Sequence, residues 1–269
     1  MSAHFSPDLM QRAQGVASVS LKAGGRLDRL RQQGCAKAIL PHVPGRAEVV
    51  FLNTAGGLTG GDRLAFALDL AAGTRATATT QTAERAYRAG QGQARIDVEM
   101  MVGAGGWLDW LPQETILFEG AALARETRIE LGADAGCILC EAVVLGRAAM
   151  GETVTRVELF DRRQVLRAGR PVLVDPVRLE DDALGTGAAG LGGARAFASI
   201  AMVGRGAQDA LGPVRAVLDQ PGVRAAASGL DGRLQIRILA QDGWPMRRQI
   251  ARVLAVLRPG AELPRVWQI

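Results

Sequence analysis

A chain of 269 residues, 48% hydrophobic and 22% charged, can bury its own core, which excludes wholesale disorder and any need for disulfide or metal staples. Its 32 basic and 27 acidic residues leave a net charge of +5, and only Lys22 and Lys37 are lysines, so arginine carries nearly all of the positive charge. No three basic residues are consecutive and aromatics make up 4%, a pattern that argues against nucleic-acid binding.

The first 15 residues have no apolar run behind a basic start, so they read as a flexible segment and not as a signal peptide. Short strand-like segments follow: 16–21, 47–52, 64–70, 75–80, 94–102, 122–131, 137–145, 153–160, 164–167, 172–179, 197–203 and 233–240. Thr127-Arg-Ile-Glu-Leu131 and Leu234-Gln-Ile-Arg-Ile238 alternate apolar and polar residues plainly. Glycines punctuate the intervals, at Gly24-Gly25, Gly56-Gly57, Gly60-Gly61, Gly105-Gly106, Gly132 and Gly169. Because these turns are too short for a crossover helix, the strands are expected to pair antiparallel. Helical spacing comes late, over 208–220 and again over 245–258, where Ile250, Val253, Leu254 and Leu257 make an apolar face opposite Arg247, Arg248 and Arg252. The expected architecture is a single, mainly β domain over residues 1–269 with two α-helices toward its C-terminal end, and no clean sequence repeat stands out. No stretch approaches the roughly 18 apolar residues of a membrane helix, and three cysteines fit a reducing compartment. A cytoplasmic protein without a membrane segment is therefore expected.

Two glycine-rich loops invite a nucleotide and are rejected. Gly185-Thr-Gly187-Ala-Ala-Gly190 matches a dinucleotide fingerprint by letter, yet it follows an acidic loop and precedes a strand-like segment, so no helix N-terminus awaits a pyrophosphate. Asn53-Thr-Ala-Gly-Gly-Leu-Thr-Gly-Gly-Asp62 lacks the Gly-Lys-Ser/Thr ending of a phosphate loop. Cys137 and Cys140 have metal-pair spacing, but residues three apart on a strand face opposite ways, and no second pair completes a site; buried structural thiols fit better. With only His4 and His42, a histidine-based acid–base site is hard to assemble.

Carboxylates inside apolar segments are the sharper signal: Asp62, Asp109, Glu114 and above all Glu141, within an otherwise fully apolar strand. An ionised acid there needs a cation, a donor or water; the bland partner is an arginine such as Arg147. A carboxylate hydrolase using Asp62 and Glu114, and a β-rich binding module with salt-bridged acids, are the alternatives that the residues leave open.

Five blocks taken together are more specific. The Gly-Gly-x-x-Gly-Gly-Asp core of Asn53 to Asp62, Thr79 to Arg88, Trp110-Leu-Pro-Gln-Glu-Thr-Ile116, Leu145-Gly-Arg-Ala-Ala-Met-Gly-Glu152 and Leu263-Pro-Arg-Val-Trp267 resemble, in order, signature blocks of the urease accessory protein UreD (UreH) family. The resemblance implies stacked sheets in a β-helical arrangement with a pair of helices. It also implies a non-enzymatic chaperone acting with UreF, and through UreF with the GTPase UreG, to insert nickel into apo-urease. Such a protein holds no permanent cofactor; Ni²⁺ is in transit. A store would hold nickel tightly with His and Cys, whereas a conduit needs sparse oxygen ligands that can be left again. On that ground Asp62, Glu84, Glu141 and Asp175 are expected to line an internal water path, with Glu114 and Glu152 nearby.

Overall fold

The computed structural model describes residues 12–43, 45–147, 150–184, 187 and 190–268. It opens with two antiparallel hairpins in opposite sheets: β1 (Gln14–Lys22) with β2 (Arg26–Gly34), then β3 (Ala36–Ile39) with β4 (Ala47–Asn53). From β4 the chain coils. β5 (Arg63–Leu70) lies beside β1 in the first sheet, β6 (Arg75–Thr80) returns beside β4 in the second, and β8 (Ala94–Val102) crosses back to β5. β9 (Trp107–Trp110), β11 (Ala121–Leu131), β12 (Gly136–Leu145) and β13 (Val157–Arg167) continue the spiral, while the short β7 (Glu84–Ala86) and β10 (Thr115–Leu117) pair with each other beside β12. β14 (Arg170–Leu179) closes the first sheet, and β15 (Ala196–Val203), β16 (Val223–Leu230) and β17 (Arg233–Ala240) extend the second.

The mainly β, β-helical expectation holds, with helices toward the C-terminal end, but the expected strand direction needs correction. Among the described strands, antiparallel pairing is confined to the flanks: the two opening hairpins, β13 with β14, and β12 through β15 and β17 to β16. The body of the spiral is parallel, β1–β5–β8–β11–β13 in one sheet and β4–β6–β9–β12 in the other. A parallel neighbour needs no crossover helix here, because the strand of the opposite sheet is itself the crossover. The segments 153–160 and 164–167 also merge into the single strand β13.

Two cores make three layers. Val49, Phe51, Leu68, Met100, Leu108, Leu123 and Leu139 pack between the sheets. Ile138, Ile200, Ile236 and Ile250 pack between the second sheet and α3 (Gly243–Leu257). β12 is consequently buried on both faces, and Cys137 and Cys140 fall in different cores. The earlier helices are short: α1 (Asp181–Leu184), and α2 (Leu211–Arg215) behind a 3-10 turn at Ala207–Ala210. α3 starts at Asp242, whose carboxylate accepts from the Gly243 N–H, and buries Met246, Ile250, Val253, Leu254 and Leu257.

The turns that carry the chain from the first sheet to the second are stacked like the strands. The Gly73 N–H donates to the Ala104 carbonyl and the Gly105 N–H to the Ala133 carbonyl, each at 2.8 Å. Gly73, Gly105 and Asp134 occupy the left-handed position of successive turns, with φ of 69°, 65° and 53°. Segments 71–74, 103–106 and 132–135 are thus an internal repeat too short to stand out by sequence.

Candidate functional site: a charged column inside the spiral

Alternation along a strand sends every second side chain inward, and on β11 that row is Leu123, Arg125, Thr127, Ile129, Leu131. Arg125, 4% exposed, meets oxygens on three other strands. Its Nη1 lies 2.7 Å from Glu141 Oε2 on β12 and donates to Thr115 Oγ1 on β10 at 3.0 Å. Its Nε and Nη2 grip Asp161 on β13, at 3.0 and 2.7 Å. The Trp110 indole N–H donates to the other Glu141 oxygen at 2.9 Å.

The chain of charges continues along the spiral axis. Arg163, two residues beyond Asp161, stands 3.9 Å from Asp161 Oδ2 and 3.4 Å from Asp175 Oδ2 on β14. Asp175 accepts from Ser199 Oγ at 2.7 Å and is held by Arg237 on β17. The Arg237 side chain is 49% exposed and lines a surface groove of about 710 Å³ with Leu179, Leu191, Phe197 and Leu239. At the other end Glu84 pairs in register with Thr115, is half-buried, and accepts from Asn53 Nδ2 at 3.2 Å. A line of alternating sign thus runs through the core from Glu84 to Arg237.

The acids along it differ in proton affinity for visible reasons. Burial pushes the Glu141 carboxyl above its ordinary range, and its one contact with Arg125 offsets this only in part. Asp161 is equally buried, yet the two-pronged grip of Arg125 outweighs that and holds it low. Burial also opposes the charge on Arg125, but Asp161 and Glu141 overcome it and raise that guanidinium's pKa. Burial raises Glu84, with the Asn53 amide and neighbouring N–H working the other way.

Of the six acids singled out by sequence, Glu84, Glu141 and Asp175 join this column; three stand elsewhere. Asp62 is buried and accepts from the N–H groups of Ala13 and Thr59, both at 2.8 Å, so it fastens the glycine loop to the start of β1. Glu114 meets Arg247 Nη1 at 3.3 Å. Glu152 accepts from the N–H of Glu119 at 3.2 Å and from the N–H and Nε of Arg147. Arg147 is therefore the partner of Glu152, and Arg125 is the partner of Glu141. Arg247 is not on an outer face either: it turns inward to Gln113 and lies over the Trp267 ring at 4.9 Å.

Sequence reading passed over Arg125, Asp161 and Arg163. Their signal is parity: each occupies an inward position in a strand whose inward row is otherwise mostly apolar. Asp109 forms a separate cluster on the opposite face of the second sheet, held by Arg46, by Arg258 Nε at 2.8 Å and by the Trp107 indole N–H at 2.8 Å. Burial pushes the Cys137 thiol up to about 12 and Cys140 further in the same direction, which fits inert buried thiols. Among the described residues, no group of three or more His, Cys, Asp or Glu side chains is arranged to hold a metal ion. No helix among the described residues is long and apolar enough to cross a membrane. Residues 1–11, and 185, 186, 188 and 189 of the second glycine loop, lie outside the described residues, whereas Gln14 and Gly15 belong to β1.

Comparison with known proteins gives a consistent answer. The family model of the UreD urease accessory protein matches residues 13–268. The urease accessory protein UreD of Cereibacter sphaeroides is 62% identical over 267 residues, which is 97% of each chain. That of Paracoccus denitrificans is 55% identical over 268 residues, covering 98% of this chain and 95% of the relative. That of Rhizobium leguminosarum bv. viciae is 42% identical over 265 residues, 96% of each.

Proposed function

The chain belongs to the UreD family of urease accessory proteins, and from that premise we propose that it inserts nickel into apo-urease as a non-enzymatic partner of UreF and, through UreF, of UreG. Its own part is to hand Ni²⁺ onward through the interior of the spiral. The observation that carries this reading is the column itself: Glu84, Glu141, Asp161 and Asp175 form a line of oxygen donors inside an apolar core, with a partly exposed group at either end. Oxygen ligands hold Ni²⁺ weakly enough for release, which suits transfer better than storage. The hydrolase alternative finds no support in this geometry, because Asp62 is spent on backbone N–H groups and Glu114 on Arg247.

The test is maturation reconstituted with the purified chain, UreF, UreG and apo-urease, with bound nickel measured by elemental analysis. Glu141→Gln is expected to lower the nickel content of urease severalfold while the accessory complex still assembles. Unchanged loading by an intact complex would make the column a structural feature only.

A further inference from the structure

Arg125 occupies the centre of a shell made entirely of oxygen. Its three guanidinium nitrogens face Glu141 Oε2, both Asp161 oxygens and Thr115 Oγ1 at 2.7 to 3.0 Å, and its side chain is almost fully buried. We propose that this guanidinium is a resident stand-in for a divalent cation: Glu141, Asp161 and Thr115 form a latent cation site that Arg125 fills at rest and yields during loading. The inference rests on the transfer role above and adds to it a ligand set and a means of keeping the path closed.

Three observations carry it. The first is charge. With every group ionised, Glu84, Glu141, Asp161 and Asp175 bring four negative charges to the column, against three positive charges from Arg125, Arg163 and Arg237, and burial works against the charge on Glu84 and Glu141. A dication in place of Arg125 would make the column neutral, so the site is one charge short with its resident and balanced with its visitor. The second is ligand chemistry. Two carboxylates and a hydroxyl, with no imidazole or thiolate among them, suit a hard or borderline divalent ion that keeps part of its water. The third is incomplete satisfaction. Thr127 Oγ1, on the same face of β11 two residues beyond Arg125, is buried without a hydrogen-bond partner among the described residues, and so is Glu141 Oε2, which meets Arg125 as an ion pair alone. A column serving stability alone gains by satisfying every polar atom or by replacing the charges with apolar groups; this one keeps two oxygens without a hydrogen bond beside the cation position. The guanidinium also explains how such a site can be weak. Every entering ion must first displace a bound positive charge, which lowers net affinity and favours release.

The experiment is Arg125→Met in the full-length chain, followed by thermal unfolding and calorimetric titration with NiCl2. Without metal the variant should unfold at lower temperature than the parent chain. With NiCl2 it should recover much of that loss and bind one Ni²⁺ at least tenfold more tightly than the parent chain does. Adding Glu141→Gln to the same variant should abolish both effects, which separates this site from adventitious binding at histidine or cysteine. Should Arg125→Met fail to fold, Arg125→Lys keeps a charge but cannot bridge two carboxylates, and it should show a smaller nickel-dependent rise. A folded variant with no nickel-dependent rise, or one whose binding survives Glu141→Gln, would overturn the proposal. Failure of the transfer role reads differently: urease loading would be indifferent to Glu141→Gln while the nickel titration of Arg125→Met still showed the site.

Discussion

Asp109 shows how much a single buried charge can control. It is fully buried on the face of the second sheet opposite the column, and it ties Arg46, ahead of β4, to Arg258, just past α3. Removing one member of a buried ionic cluster strands the others, at about 3–5 kcal/mol. Asp109→Ala is therefore expected to lower stability by about that much in urea denaturation. Glu114→Ala, which breaks a more exposed pair with Arg247, should lower it by less than about 1 kcal/mol. Equal losses would mean that Asp109 does not anchor the C-terminal helix. At this scale the sequence told half the story. Asp109 and Glu141 were legible because an ionisable residue inside an apolar run must be accounted for. Their partners were not, since nothing in a linear string says which of many arginines arrives from a distant strand. The charged trio Asp161-Arg162-Arg163 even reads as a break between two strands, although Asp161 and Arg163 are inward members of one continuous β13.

At the scale of the element, the stacked turns decide the spacing between coils. A Cβ on Gly103 would stand 2.5 Å from the Ala72 backbone nitrogen, and one on Gly132 would stand 2.7 Å from that of Ala104. Both positions need glycine for close approach of neighbouring rungs. Gly105 needs it for a different reason: the space beside it is open, but its φ is +65°. Gly105→Ala should thus cost about 1–2 kcal/mol, the penalty of a left-handed L-residue. Gly103→Ala should cost more, because backbone must move and the misfit is passed to both adjacent coils. Denaturation midpoints of the two variants would rank them, and a larger loss at Gly105 would contradict the close-packing account. Strand positions were largely legible from hydrophobic alternation and glycine punctuation: segments 75–80, 94–102 and 233–240 coincide with β6, β8 and β17. The short β7, β9 and β10 escaped because three or four residues carry no period. β2 escaped because all nine of its residues are exposed and it has no apolar face. Strand direction escaped for a topological reason, since a coil that visits the other sheet between two neighbours leaves no local mark of being parallel.

For the whole molecule, the layered arrangement sets a gradient of stability. β12 lies at the middle of three layers, flanked by β9 and β15 within its sheet, packed on one face against the charged column and the first sheet and on the other against α3. Opening it would expose both cores and break the Glu141–Arg125 contact together, so no fluctuation smaller than global unfolding should free its amides. β2 is the opposite case: it ends the first sheet, has β1 as its sole strand partner among the described residues, and buries none of its residues. Opening it forfeits little apolar burial. Native-state hydrogen exchange should therefore sort the two strands by mechanism. The amides of Gly136–Leu145 should exchange with the free energy and denaturant dependence of global unfolding, and those of Arg26–Gly34 by local opening nearly independent of denaturant. Binding of a partner over the outer edge of β2 would slow its exchange and leave β12 unchanged, whereas a ligand held within the column would slow β12 by raising the global value. The same measurement in the presence of NiCl2 consequently discriminates an ion seated inside the spiral from one bound at its surface: slower exchange across Gly136–Leu145 without a change at Arg26–Gly34 is expected for the first, and no change in β12 for the second.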